Sequence, residues 1–142
     1  MAKRIVTAER VIKAPAARIF DLLADPSKHP SFDGSGAVQQ THGAAPQRLA
    51  KGAKFGMDMR MGLPYRVTNV VCEFEENRVI AWHHFARLVW RYELTEVDGG
   101  TKVVESFNYS APMGLPLTLT SIPAQNQRNM EKTLERIAEL VE

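Results

Sequence analysis

A single cysteine, Cys72, stands among the 142 residues. That scarcity excludes an internal disulfide framework and any cysteine-built zinc site, and it fits a reducing compartment. Long apolar runs are missing too: none approaches the roughly 20 residues needed to cross a bilayer. The opening residues carry charge without an apolar core, so they do not read as a secretory signal. The expectation is a cytoplasmic protein with no transmembrane segment. Charge of one sign never accumulates. The formal charge is +2, from 18 Lys and Arg against 16 Asp and Glu. The basic residues are scattered, which leaves no footprint for nucleic acid. Gly-rich phosphate loops are absent. His29, His42, His83 and His84 show no ligand spacing, so neither a metal nor another cofactor is expected.

What is present is a chain long enough for one domain that buries about two thirds of its unfolded surface. No repeat or linker divides it. Arg4 to Ile12, rich in Val, Ile and Thr, reads as a strand. Ala14-Pro15 opens a helix with the apolar stripe Ile19, Phe20, Leu22 and Leu23. Asp25-Pro26-Ser27 ends it and starts a short second helix reaching Phe32. Asp33-Gly34-Ser35-Gly36 is a loop. Phe55, Met57, Met59 and Met61 then alternate with polar or small residues, the period of a half-buried strand. Gly62-Leu63-Pro64 turns the chain, and strands follow over Tyr65 to Phe74 and Val79 to Phe85.

Leu88 to Ala111 reads as a hairpin about Asp98-Gly99-Gly100-Thr101. A two-residue loop of Gly99 and Gly100 pairs Leu94 with Glu105, Tyr92 with Phe107 and Trp90 with Tyr109. One face then carries Leu88, Trp90, Tyr92, Leu94, Val103, Phe107 and Tyr109. The other carries Arg91, Glu93, Thr95, Lys102, Ser106 and Asn108, as in a sheet covered on one side. The cover is a C-terminal helix from Ser121 to Glu142, with Ile122, Met130, Leu134, Ile137 and Val141 at helical spacing. A helical turn near Leu117 and a kink at Pro123 are expected before it. The order is strand, two helices, about six strands and a long helix.

That order resembles the START/Bet v1-like (SRPBCC) superfamily, and within it the bacterial polyketide cyclase/dehydrase-type branch. The resembling stretches are Ile12 to Pro26, Glu75 to Trp82, Trp90 to Leu94 with Asp98 to Thr101, and Thr133 to Ile137. The resemblance implies an α+β helix-grip fold. In it a curved antiparallel sheet of about seven strands wraps a long C-terminal helix, with two short helices after strand 1, in a single domain over residues 1–142. It also implies a scaffold shared by cyclases, lipid carriers, quinone-binding proteins, hormone receptors and co-chaperones, so function has to be argued from the site.

Several residues are candidates for that site. The hairpin register turns Glu105 inward between Val103 and Phe107, where a carboxylate must be paired, hydrogen-bonded or neutralised. It is read as an acid or base of raised pKa, or else as a structural ion-pair member or a carboxylate reaching water. Tyr92, Trp90 and Tyr109 share its face and either orient a ligand or fill the core. A turn at Phe85-Ala86-Arg87 pairs Trp82 with Trp90, which turns Ile80, Trp82 and His84 inward and His83 outward. His84 is then a proton carrier or a buried, hydrogen-bonded histidine. Met57, Met59 and Met61 offer adaptable lining or flexible filling. Asn126 and Met130 face the sheet from the helix. Arg66 lies on a strand whose facing is open by one residue.

Three functions follow. The first is binding of a small hydrophobic molecule (lipid, polyketide or aromatic metabolite) between sheet and helix, lined by Met57, Met59, Met61, Trp82, Trp90, Tyr92, Phe107, Tyr109, Asn126 and Met130. The second is a polyketide cyclase/dehydratase-type enzyme in which Glu105, His84 and Tyr92 act as acid and base. The third is a protein-interaction module using the same groove.

Overall fold

The alternating segments build seven antiparallel strands in the order β1-β7-β6-β5-β4-β3-β2. The structure is a computed structural model and describes residues 4–43, 46–84 and 87–142. Strand β1 (Ile5–Ile12) leads into helix α1 (Ala16–Leu23), a 3₁₀ turn (Pro26–Lys28) and helix α2 (His29–Phe32). Strands β2 (Val38–His42), β3 (Lys54–Met61), β4 (Leu63–Glu75), β5 (Val79–His83), β6 (Val89–Val97) and β7 (Gly100–Asn108) follow. A 3₁₀ segment (Pro112–Leu119) and helix α3 (Ile122–Val141) close the chain. The Asp25 side chain accepts from the Ser27 amide and fixes the entry to the 3₁₀ turn.

Helix α3 runs alongside β1 in the same direction. The Gln127 amide donates to the Thr7 carbonyl at one end, and the Lys13 amide donates to Glu142 at the other. Fifteen helical residues rise roughly 22 Å, close to the roughly 20 Å of the strand segment they span. Met130, Leu134, Ile137, Ala138 and Val141 pack onto the sheet with Ile19, Phe20 and Leu23 of α1. This is the helix-grip architecture that the sequence implied.

Register irregularities lie between Val38 and Gln40 and between Val71 and Glu73. Such bulges bend a sheet and raise its twist. The second also changes which residues face the helix. Tyr65, Val67, Asn69 and Val71 pair with inward residues of β3 and β5, whereas beyond the extra residue Phe74 faces inward opposite Ile80. Arg66 is therefore on the outer face, where it donates to Asp58 at 3.1 Å.

Four expectations need correction. The hairpin pairs Leu94 with Val103, Tyr92 with Glu105 and Trp90 with Phe107. Its two-residue loop is Asp98-Gly99, with Gly99 at φ 84°. The slip is two residues, so every side chain keeps its face. Pro123 makes no kink: it occupies the first turn of α3, where its missing N–H breaks no bond. Ile122 is exposed at that start rather than part of the buried stripe. Strand β5 ends at His83, and Phe85 and Ala86 lie outside the described residues.

Candidate functional site

Strand pairing arranges the concave face in rows. Ala8, Glu105, Tyr92 and Ile80 form one row, and Val6, Phe107, Trp90 and Trp82 the next. In the first row Glu105 is 3% exposed, with apolar Ala8 and Ile80 in the same row. Burial pushes its carboxyl up from the ordinary 4.5 to about 8, partly offset by a hydrogen bond with the Tyr92 hydroxyl; the charge of Asp33 adds to the rise. Among the described residues its buried Oε1 has no hydrogen-bond partner. Tyr92 is raised well above 10 by burial and by the adjacent Glu105. Among the described residues no cation is among the groups that move Glu105. An uncharged carboxyl beside a phenol is what burial favours here.

Aromatic rings extend from this pair along the floor. Trp82 lies 5.7 Å from Tyr92, Trp90 4.6 Å from Phe107, and Phe107 5.6 Å from Tyr109. Trp82 also stacks on His29 at 4.9 Å and meets Phe55 edge-on at 5.6 Å. Met57 and Met130 are buried; Met59, Trp90 and Tyr109 are half-buried against the core. These side chains lie on the concave face and make ring contacts with one another. Two open pockets, of about 550 and 500 Å³, lie elsewhere. One follows Gln39, Gln40, Asp58 and Arg66, the other Asn77, Arg78 and Glu96, and neither is lined by Trp82, Tyr92 or Glu105.

Not all candidates converge. Met61 is 68% exposed at the tip of the β3–β4 hairpin and lines no interior. Arg66 is spent on Asp58 outside. His84 is half-buried just beyond β5, with its pKa lowered by burial and by His83. Ile80, opposite Tyr92, is four strand residues away, so roughly 13 Å separates His84 from the Glu105 row. His83 is half-buried rather than fully outward, and its Nδ1 contacts the His84 carbonyl at 3.0 Å. Asn126 is half-buried one turn before Met130.

His29 is a buried neighbour of this floor that pattern reading missed. It is buried, its Nε2 contacts the Leu23 carbonyl at 2.9 Å, and burial lowers its pKa to about 4. The available signal was its spacing from Phe32, which puts both on one face of α2. Asn69 was missed as well. It is buried opposite Phe55, and only the β3–β4 register reveals its facing.

A family model for polyketide cyclase/dehydrase and lipid transport matches residues 3–142. The chain belongs to that family. The Mycobacterium tuberculosis protein Rv0088, described as uncharacterised, is 33% identical over 135 residues, covering 90% of this chain and 60% of that protein. A second protein of that species, MT0096, is 32% identical with the same coverage. The chain thus spans less than two thirds of the length of these relatives. Among solved structures, protein NE0264 of Nitrosomonas europaea superposes with a TM-score of 0.75 at 13% identity, covering 96% of this chain and 92% of that one. The AHSA1-like protein of Aeromonas hydrophila gives 0.71 at 18% identity, covering 96% and 90%. At such identities the likeness establishes the fold. No helix is long and apolar enough to cross a membrane among the described residues.

Proposed function

We propose that the protein binds a small, mostly apolar molecule between α3 and the concave face of the sheet, held by the Tyr92–Glu105 pair. The observation that carries this reading is the orphaned Oε1 of Glu105, buried in an apolar floor. Leaving a buried polar group unpaired costs about 1–3 kcal/mol, and a ligand oxygen or nitrogen placed there removes that penalty. Most of the surrounding groups are rings, and the methionines among them adapt to different shapes. The half-buried Met59, Trp90, Tyr109 and Leu117 border the buried floor. The ligand class this favours is aromatic or polycyclic, with one carbonyl or hydroxyl group directed at the carboxyl.

Native mass spectrometry of protein purified from its own host is the first test, with a bound small molecule expected. Titration with an apolar fluorescent probe is the second, with quenching of Trp82 and Trp90 emission expected. Glu105→Gln keeps the shape but replaces the carboxyl with an amide, and is expected to weaken binding of carbonyl-bearing aromatic ligands about tenfold, the value of one hydrogen bond. Failure of the probe to bind, together with ligand-free protein, overturns the reading.

The buried carboxyl also supports a second reading, a cyclase/dehydratase. An acid whose pKa lies near the working pH can take a proton from carbon and return it to oxygen. In such a reaction ionised Glu105 removes a proton α to one carbonyl, and the enolate carbon attacks a second carbonyl. The proton then passes to the new alkoxide. Turnover lost in Glu105→Gln while ligand affinity persists separates this reading from plain binding.

A further inference from the structure

We infer that the end of the molecule carrying the β3–β4 hairpin tip and the Pro112–Leu119 segment docks on an anionic lipid surface. In an antiparallel meander alternate connections fall at the same end. The β3–β4 tip, the β5–β6 connection and the segment from β7 to α3 therefore share one end, with the start of β1. Eight of the eleven exposed large hydrophobic side chains of the described residues are found there. Met61, Leu63 and Tyr65 form one lip, with Leu63 78% exposed; Met113, Leu115 and Leu119 form the other, with Leu119 92% exposed. Isolated exposed apolar side chains need no explanation, but two clusters of them at one end mark an interaction surface.

Charge selects the partner. Arg60, Arg87 and Arg128 are exposed at this end, beside the Arg66–Asp58 pair. The nearby carboxylates include Asp33 and Asp58, both half-buried and both engaged, and the exposed Glu131 one turn beyond Arg128. Asp33 accepts from Ser35 and Val38, and Asp58 from Gln40 and Arg66. From Ser106 to Gln127 the chain has no charged residue at all. The opposite end mixes both signs: Glu75, Glu76, Glu96, Asp98, Glu139 and Glu142 lie among Lys13, Arg48, Lys51, Arg78 and Lys102. An apolar tip flanked by exposed guanidinium groups matches headgroup phosphates above acyl chains. A second copy of this chain would bring like charges together at the same tip.

The proposal stands apart from the interior ligand and is tested without one. The protein is floated with phosphatidylcholine vesicles with and without phosphatidylglycerol. Binding is expected to the anionic vesicles, weakening as salt screens the arginines. Leu115→Ser with Leu119→Ser, and separately Arg60→Glu with Arg128→Glu, are each expected to reduce binding at least about tenfold. Leu140→Ser, exposed at the far end, serves as the control and is expected to bind as the parent does. Absence of binding to anionic vesicles overturns the proposal. So does a concentration-dependent dimer that Leu115→Ser with Leu119→Ser converts to monomer, which would assign the lips to self-association.

Discussion

Two buried titratable side chains set opposite limits on the pH range of stability. Glu105 has a folded pKa of about 8 against an ordinary 4.5. Between those values the folded protein keeps a proton that the unfolded chain has lost, so stability falls as pH rises. His29 is lowered from 6.5 to about 4, so in that window the unfolded chain binds the extra proton and stability rises with pH. From 4.5 to 6.5 the two slopes oppose and cancel. Above 6.5 Glu105 acts alone, and a loss of about 2 kcal/mol is expected by pH 8. Denaturant titrations across this range should show a plateau with falling shoulders. Glu105→Gln should remove the alkaline shoulder and His29→Phe the acid one; a parent profile flat to pH 8 would show that Glu105 is solvated. Glu105 was legible from the sequence because a two-residue slip in register leaves parity intact. His29 was not, because its one spacing signal, to Phe32, is a single pair in a four-residue helix.

At the scale of elements, the α2–β2 loop and α3 meet backbone to backbone. The Gly34 amide donates to Thr133 Oγ1 at 2.8 Å, and a Cβ at Gly34 would lie 2.2 Å from the Asn129 carbonyl oxygen. Neither partner is a flexible side-chain end, so Gly34→Ala must push the loop off the helix. A loss of about 1–3 kcal/mol is expected in urea unfolding, as for an overpacked core site. Thr133→Val keeps the volume and orphans the Gly34 amide, with a similar expected loss. If both variants unfold at the parent midpoint, the loop is not clamped. The helices were legible from capping and apolar spacing. Strand β4 was not, because Tyr65 to Val71 face inward at odd positions and Phe74 at an even one. The bulge that reverses the parity has no sequence signature of its own, and so the placement of Arg66 had to wait for the pairing.

Across the whole molecule, composition and element order were enough for the fold, since each apolar face has one large partner to cover it. The interior was harder: alternation identifies floor residues, but whether they enclose space depends on how rings fill volume. Pairing of β1 with β7 joins positions about a hundred residues apart, and closing such a loop precedes any return from the contacts made. Val6→Ala on β1 is therefore expected to act on the unfolding rate, and Val103→Ala in the β6–β7 hairpin to slow folding as well. Stopped-flow chevrons test this; equal slowing by both would place β1 in the transition state. The same pairing bears on synthesis. At about 5–20 residues per second, β1 leaves the ribosome roughly 5–20 s before its β7 partner exists. Throughout that interval Ile5–Ile12 is an unpaired strand rich in Val and Ile, the kind of segment that nucleates aggregates. Glu9 and Arg10 sit in its middle. Charges in that position act as gatekeepers, guarding the nascent chain before they guard anything in the finished one.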